Sequence, residues 1–85
     1  MSTQFKDQVV LVTGSTRGIG KEIAMAFAQA GATVIVSGRN EQVGTATKEE
    51  FLRRGVKADH FACDVTNLKN VEEMVNKILD KYKSI

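Results

Sequence analysis

The sequence of 85 residues contains no proline, and Cys63 is its single cysteine. A lone cysteine excludes a disulfide framework and a cysteine-based metal site, so no metal is expected. No apolar run, Val9 to Val12 included, approaches the ~18 residues that a transmembrane helix needs. The opening residues Met1-Ser2-Thr3-Gln4-Phe5-Lys6-Asp7 lack the apolar core of a secretion signal, which makes the cytoplasm the expected location. A strong excess of one charge is missing as well. The net charge is +2, with no basic run, and this argues against nucleic-acid and membrane partners. There is no low-complexity segment and no repeat beyond a βα unit.

What is present is ordinary for a small globular protein, with 42% hydrophobic and 26% charged residues. A chain of this length makes one domain at most. It buries only roughly 60–65% of the surface that its unfolded form exposes, so the core will be modest.

One stretch organises the rest: Val9-Val10-Leu11-Val12-Thr13-Gly14-Ser15-Thr16-Arg17-Gly18-Ile19-Gly20. An aliphatic run stops at a threonine, three glycines follow, and good helix formers begin at Lys21. The pattern predicts a strand over 9–13, a tight turn, and a helix from Gly18 to Ala30 that buries Ile19, Ile23, Phe27 and Ala30. The unbroken hydrophobicity of the first strand predicts burial on both faces, with Phe5 tucked against the sheet.

A second strand is expected over Ala32–Ser37, followed by the turn Gly38-Arg39-Asn40. A second helix then runs from Glu41 to Arg54, capped by Asn40 and burying Val43, Thr47, Phe51 and Leu52. Gly44 inside that helix costs roughly 1 kcal/mol relative to alanine. A third strand is expected over Lys57–Cys63. Thr66 or Asn67 caps a last helix with Leu68, Val71, Met74, Val75, Ile78, Leu79 and Tyr82 at i, i+3, i+4 spacing.

The order βαβαβα implies an α/β fold with a parallel sheet and right-handed crossovers. The strand order is expected to be 3-2-1, with two helices on one face and the third on the other. This is one half of a doubly wound Rossmann-type domain. The first strand keeps an open edge, which a partner could pair with. Residues 1–85 are therefore expected to be the N-terminal half of a dinucleotide-binding domain, cut before its fourth strand.

The spacing Gly14-x-x-x-Gly18-x-Gly20 meets the demands of a pyrophosphate site. It allows a sharp turn off the strand, close backbone approach, and a helix start that offers free N–H groups. The plainer alternative is a tight βα connection. A phosphate loop for ATP or GTP is excluded, because Gly14 lies one residue too far from Gly20-Lys21 and Glu22 stands where Ser or Thr would ligate magnesium. A methyltransferase would want a carboxylate at the end of the second strand, and Gly38 stands there.

That missing carboxylate is informative. In NAD sites an Asp or Glu about 20 residues past the turn binds the ribose 2′-hydroxyl. Gly38 cannot, and Arg39 follows it. With Arg17 in the glycine turn, two guanidinium groups can converge on a 2′-phosphate, which points to NADP(H) over NAD(H). The alternative is that the arginines are solvated surface charges. Asp64, after the third strand, either accepts from the adenine amino group with Val65 against the ring, or caps the next helix. His60 is expected to be a packing or surface residue.

Together these residues resemble the short-chain dehydrogenase/reductase family. The resemblance rests on Thr13-Gly14-x-x-x-Gly18-x-Gly20, on Gly31-Ala32, and on Asp64-Val65. It is nearest to the classical subgroup with the 3-oxoacyl-acyl-carrier-protein reductases and related sugar or steroid reductases. It implies that Thr13, Gly14, Ser15, Thr16, Arg17, Gly18, Ile19 and Gly20 hold the pyrophosphate and adenosine side. It implies that Arg17 and Arg39, beside Gly38, are the basic residues of NADP-preferring members, and that Asp64 and Val65 contact adenine. It also implies that the family's catalytic Asn, Ser, Tyr and Lys, and its usual homo-oligomer contacts, fall beyond Ile85. Tyr82 lacks the lysine partner of that set, so no catalytic residue is expected and the chain alone is expected to be inactive. The alternative is a non-catalytic dinucleotide-binding or strand-pairing module.

Overall fold

A computed structural model describes residues 4–85, so Met1 to Thr3 of the polar lead-in lie outside the described residues. The elements are β1 (Val9–Thr13), α1 (Gly18–Gln29), β2 (Thr33–Ser37), α2 (Glu41–Arg53), β3 (Lys57–His60) and α3 (Leu68–Tyr82). The sheet is parallel in the order β1-β2-β3, with Val9 opposite Thr33 and Thr33 opposite Lys57. This is the expected Rossmann-type half.

Alternation along β2 divides the interior in two. Val34 and Val36 face α1 and α2, where Ala24, Met25, Ala28, Ala32 and Phe51 complete one core. Ile35 faces the other way and meets Met74 and Ile78 of α3 together with Cys63. Two helices on one face and one on the other is the expected arrangement. The central strand is β2, whose Val34, Ile35 and Val36 are fully buried. The first strand departs from expectation, because Val9 to Val12 are only half-buried. Among the described residues β1 pairs with β2 alone, so its continuous hydrophobicity is not matched by burial on both faces.

In α1 the buried stripe shifts by about one position from the one predicted. Ile19 is 77% exposed and Ile23 44%, whereas Ala24, Met25 and Ala28 are buried. The cause is Gly20, which lies so close to the backbone of Gly14 that a Cβ there would collide with the Gly14 carbonyl oxygen. This contact fixes the rotation of α1, and the small residues Gly20, Ala24 and Ala28, four apart, form its underside. In α2, Thr47 and Phe51 are buried as expected, but Val43 and Leu52 are exposed and Gly44 takes the buried place. In α3, Met74 and Ile78 are buried while Leu68 and Leu79 stay exposed. Phe5 packs edge-on against Phe27 of α1, with ring centroids 5.1 Å apart.

The third strand stops at His60 rather than Cys63. Beyond it the chain still follows β2, since Phe61 N–H donates to Val36 and Cys63 N–H to Gly38. With β2 ending at Ser37, these single bonds no longer make a ladder. Of the two candidate caps for α3, Asn67 holds the position and accepts from Asn70 N–H at 3.2 Å. Asn40 caps α2 as expected, accepting from Val43 N–H at 2.9 Å.

Two ionisable groups tie α2, β3 and α3 together. Asp59 is buried and accepts from Lys81 Nζ at 2.6 Å, Tyr82 Oη at 2.6 Å and His60 N–H at 2.8 Å. Lys48 of α2 adds an ion pair at 3.4 Å. Burial opposes the charge of Asp59, but the hydrogen bonds from Lys81, Tyr82 and His60 overcome it and bring the pKa from 3.8 to about 2. His60 itself is packed against Gly44, and its Nε2 has no hydrogen-bond partner. Burial pushes its pKa below 6.5. Both groups have depressed folded-state values, so each contributes stability above its unfolded value and loses it as pH falls.

An acid titration of stability should therefore show two limbs, one starting near pH 6.5 and one between pH 3.8 and about 2. The Asp59 limb is worth roughly 2 kcal/mol. In Asp59→Asn the lower limb should lose most of its size in a urea-melt series, leaving the small part owed to Asp64 and Glu50, while the upper one persists. An unchanged lower limb would remove Asp59 as its source.

Candidate cofactor-binding site

The site forms where the three strands end at their carboxyl edges, the place where open α/β sheets bind ligands. A cavity of about 420 Å³ is lined there by Gly14, Thr16, Arg17, Gly38, Arg39 and Val65, all predicted, and by Ser37, Asn40, Val43 and Cys63, which the motif did not indicate. That volume suits part of a dinucleotide.

The glycine turn is built by three different constraints. Gly14 and Gly18 have φ of +64° and +61°, the left-handed region that favours glycine. Gly20 has an ordinary backbone but no room for a side chain. Ser15 is fully buried beneath the turn. Its Oγ donates to Val12 O at 2.6 Å and accepts from Ser37 N–H at 2.9 Å. Its own N–H donates to Ser37 O at 3.1 Å. The hydroxyl of Ser15 thus fastens the turn to the end of β2 instead of facing the cavity.

Helix α1 begins without a cap. Arg17 at its N-cap is extended and makes no side-chain capping bond, and the first turn carries no acidic residue. The first helical bond is from Lys21 N–H to Arg17 O at 3.3 Å, which leaves the N–H groups of Gly18, Ile19 and Gly20 without a helical acceptor. The other two helices are capped by Asn40 and Asn67. Uncapped donors at the positive end of a helix form an anion-binding surface. The side chain of Ile19 points to solvent, so only its backbone can take part. Thr13, the last residue of β1, is exposed beside the turn.

Both arginines named from sequence line this cavity. Arg39 is 75% exposed and lies 3.6 Å from Asp64 Oδ2. Asp64 Oδ1 is occupied, accepting from Thr66 Oγ1 at 2.6 Å and Thr66 N–H at 3.0 Å. These two bonds lower its pKa, with Arg39 adding a little. Asp64 thus braces the turn ahead of α3, and Oδ2 is the atom left facing Arg39. Asp64 does not itself line the cavity; Val65 beside it does.

The residues missed are those whose role depends on the fold. Val43 looked like a core position by helical spacing, yet it is 45% exposed at the cavity. Asn40 gave only its capping signal. A second groove of about 490 Å³ runs between α1 and α2. The Lys21–Glu50 ion pair at 2.7 Å spans those helices, and the groove lacks both Arg17 and Arg39. Among the described residues no group of His, Cys, Asp or Glu could hold a metal ion, and no helix is long and apolar enough to cross a membrane.

A family model for short chain dehydrogenases matches residues 8–85. The chain belongs to the short chain dehydrogenase family. It is 39% identical over 79 residues to a 3beta-hydroxysteroid dehydrogenase of Mediterraneibacter gnavus, covering 93% of this chain and 29% of that one. Among solved structures it superposes on a variant of actinorhodin polyketide ketoreductase with NADPH at a TM-score of 0.85 and 39% identity, covering 96% of this chain and 31% of the other. A metagenomic short-chain oxidoreductase in complex with NADP gives a TM-score of 0.88 at 29% identity, covering 94% and 36%. The chain thus spans about a third of the length of these short chain dehydrogenases, and the part matched is the glycine turn with its flanking strands and helices.

Proposed function

We propose that this chain is the NADP(H)-binding part of a short chain dehydrogenase that transfers hydride between the cofactor and a carbonyl or alcohol. The observation that carries the reading is the meeting of Arg17 and Arg39 in one cavity with Gly38, where an NAD site would place a carboxylate. The uncapped start of α1 supports a pyrophosphate beside Gly14, Gly18 and Gly20. Asp64 Oδ2 and Val65 are the proposed adenine contacts, and Ser15 and Thr13 shape the turn. The occurrence of NADP and NADPH in the two solved relatives agrees with this choice.

The cofactor would supply the hydride; the residues here would bind and orient its adenosine end. Proton transfer to the substrate oxygen is assigned to residues outside this third of the family's length. The one tyrosine present, Tyr82, is held by Asp59, and burial together with that carboxylate raises its pKa. A general acid–base group working near neutrality needs the opposite shift. The chain alone is therefore proposed to be inactive. The open edge of β1 supports a second, smaller role in self-association, which sedimentation of the purified chain would show as a dimer.

The test is calorimetric titration with NADP⁺ and NAD⁺. The expected result is tighter binding of NADP⁺ by roughly tenfold or more, the scale of one charge-assisted hydrogen bond. Arg39→Ala and Arg17→Ala should each remove most of that margin while leaving NAD⁺ binding within about twofold. Equal affinity for both cofactors in the unmodified chain would overturn the NADP(H) assignment.

A further inference from the structure

Gly38 has a neighbour that the cofactor motif does not explain. A Cβ built on Gly38 would stand 2.9 Å from Thr16 Cγ2 and 3.2 Å from Thr16 Oγ1, while Thr16 Cβ lies at an ordinary 3.7 Å. Both heavy branches of the threonine therefore occupy the space into which a side chain at residue 38 would grow.

Rotation cannot clear that space. Threonine carries two heavy atoms on Cβ, which fill two of three staggered positions. Both of the positions facing Gly38 are now filled, so any other rotamer still leaves one of them filled. Separation cannot clear it either. Ser15, next to Thr16, and Ser37, next to Gly38, are joined by two hydrogen bonds of 3.1 Å and 2.9 Å. The hydroxyl of Ser15 is itself tied to Val12 O at 2.6 Å. The gap between residues 16 and 38 is thereby set from below.

We propose that Thr16 is a specificity-determining residue, whose side chain takes the place of the carboxylate that would bind a ribose 2′-hydroxyl. This inference rests on the reading of the cavity as the site of the adenosine 2′-phosphate. Selectivity against NAD(H) then lies in a pair, Thr16 over Gly38, in addition to Arg17 and Arg39. A carboxylate at residue 38 cannot reach a ribose from this backbone while residue 16 is threonine. Serine has a single heavy branch, and it can turn that branch away.

The experiment compares NADP⁺ and NAD⁺ binding to the chain and to Gly38→Asp, Thr16→Ser and the double variant, by calorimetry. Gly38→Asp alone should lose NADP⁺ affinity by roughly tenfold or more, through charge repulsion with the 2′-phosphate. It should gain no more than about twofold for NAD⁺. Thr16→Ser alone is the reference against which the double variant is compared. The double variant should bind NAD⁺ at least roughly tenfold tighter than Gly38→Asp, the worth of one hydrogen bond to a charged group. Equal NAD⁺ affinity in Gly38→Asp and the double variant would overturn the role of Thr16.

Should Gly38→Asp not fold, Gly38→Ala carries the steric part without the charge. Its melting temperature should fall by roughly 4–8 °C in the Thr16 background and by less than half of that in Thr16→Ser. Equal losses in both backgrounds overturn the proposal. A chain with no cofactor preference in its unmodified form would instead remove the NADP(H) reading itself, and the two failures are read from different proteins.

Discussion

Replacing Gly20 with alanine is expected to destabilise the chain and weaken its affinity for a dinucleotide together. On helix propensity alone the change should help, since alanine in a helix is favoured over glycine by roughly 1 kcal/mol. The new Cβ would meet only backbone: the carbonyl oxygen of Gly14, its carbon at 3.0 Å and Ser15 Cα at 3.3 Å. None of these can rotate aside. The turn cannot retreat, because Ser15 is bonded to Val12 and Ser37, so α1 must lift off the sheet. Overpacking of this kind costs about 1–3 kcal/mol, and here the upper part of that range should outweigh the propensity gain. A net loss of about 2 kcal/mol lowers the melting temperature of a chain this size by roughly 10 °C. The uncapped N–H groups of the first turn move with the helix, so NADP⁺ affinity should fall at least roughly tenfold. Ile19→Ala, one residue away but 77% exposed, should change stability by less than about 0.5 kcal/mol. Thermal melts and calorimetry on the two variants check both statements, and normal binding by Gly20→Ala would remove the close contact as a constraint on the site.

The second large effect lies on α2. Gly44 is a helix-interior glycine whose Cβ would fall within the imidazole ring of His60. That side chain is only 3% exposed, so it has no open route of escape. Gly44→Ala should therefore lower stability by about 2 kcal/mol, again against a propensity gain of roughly 1. The decisive measurement is a double-mutant cycle. In a His60→Ala background the obstacle is gone, and the same Gly44→Ala change should become stabilising by about 1 kcal/mol. A reversal of sign between the two backgrounds identifies the ring contact. An equal loss in both would place the cost elsewhere. The cycle also bears on the acid behaviour of the fold, since His60→Ala should erase the limb that starts near pH 6.5.

These two glycines illustrate where sequence reasoning was sufficient and where it was not. Gly20 belongs to a spacing that announces itself, and its neighbours Gly14 and Gly18 are needed for their dihedral angles, a property of the residue alone. Gly44 looked like a helix defect, because its partner His60 lies sixteen positions away on strand β3. The stripe of α1 was misplaced for a related reason. Periodicity finds an apolar face, but Ile19, Ile23 and the alanines all qualify as apolar, and the choice between faces was made by the close approach of Gly20 to the turn. Asp64 offered two roles from its position, adenine contact and capping of the next helix. Asn67 holds that cap, and Asp64 instead braces the turn through Thr66; the adenine contact belongs to the proposed function.

The chain's own sequence determined the βαβαβα order, the parallel sheet in the order β1-β2-β3, the distribution of helices between its faces, and the gathering of Arg17 and Arg39 at the carboxyl edge. All of these follow from local signals: hydrophobic runs, helix caps and glycine spacing act over a few residues, and parallel connectivity then leaves little choice. Only the tertiary structure decided which side of each helix is buried, that Ser15 fastens the turn instead of facing the cavity, and that Thr16 fills the space above Gly38. Those outcomes depend on differences of a few tenths of an ångström in the separations between residues far apart in sequence. Close packing fixes such distances, and no pattern of residue types along the chain encodes them one by one.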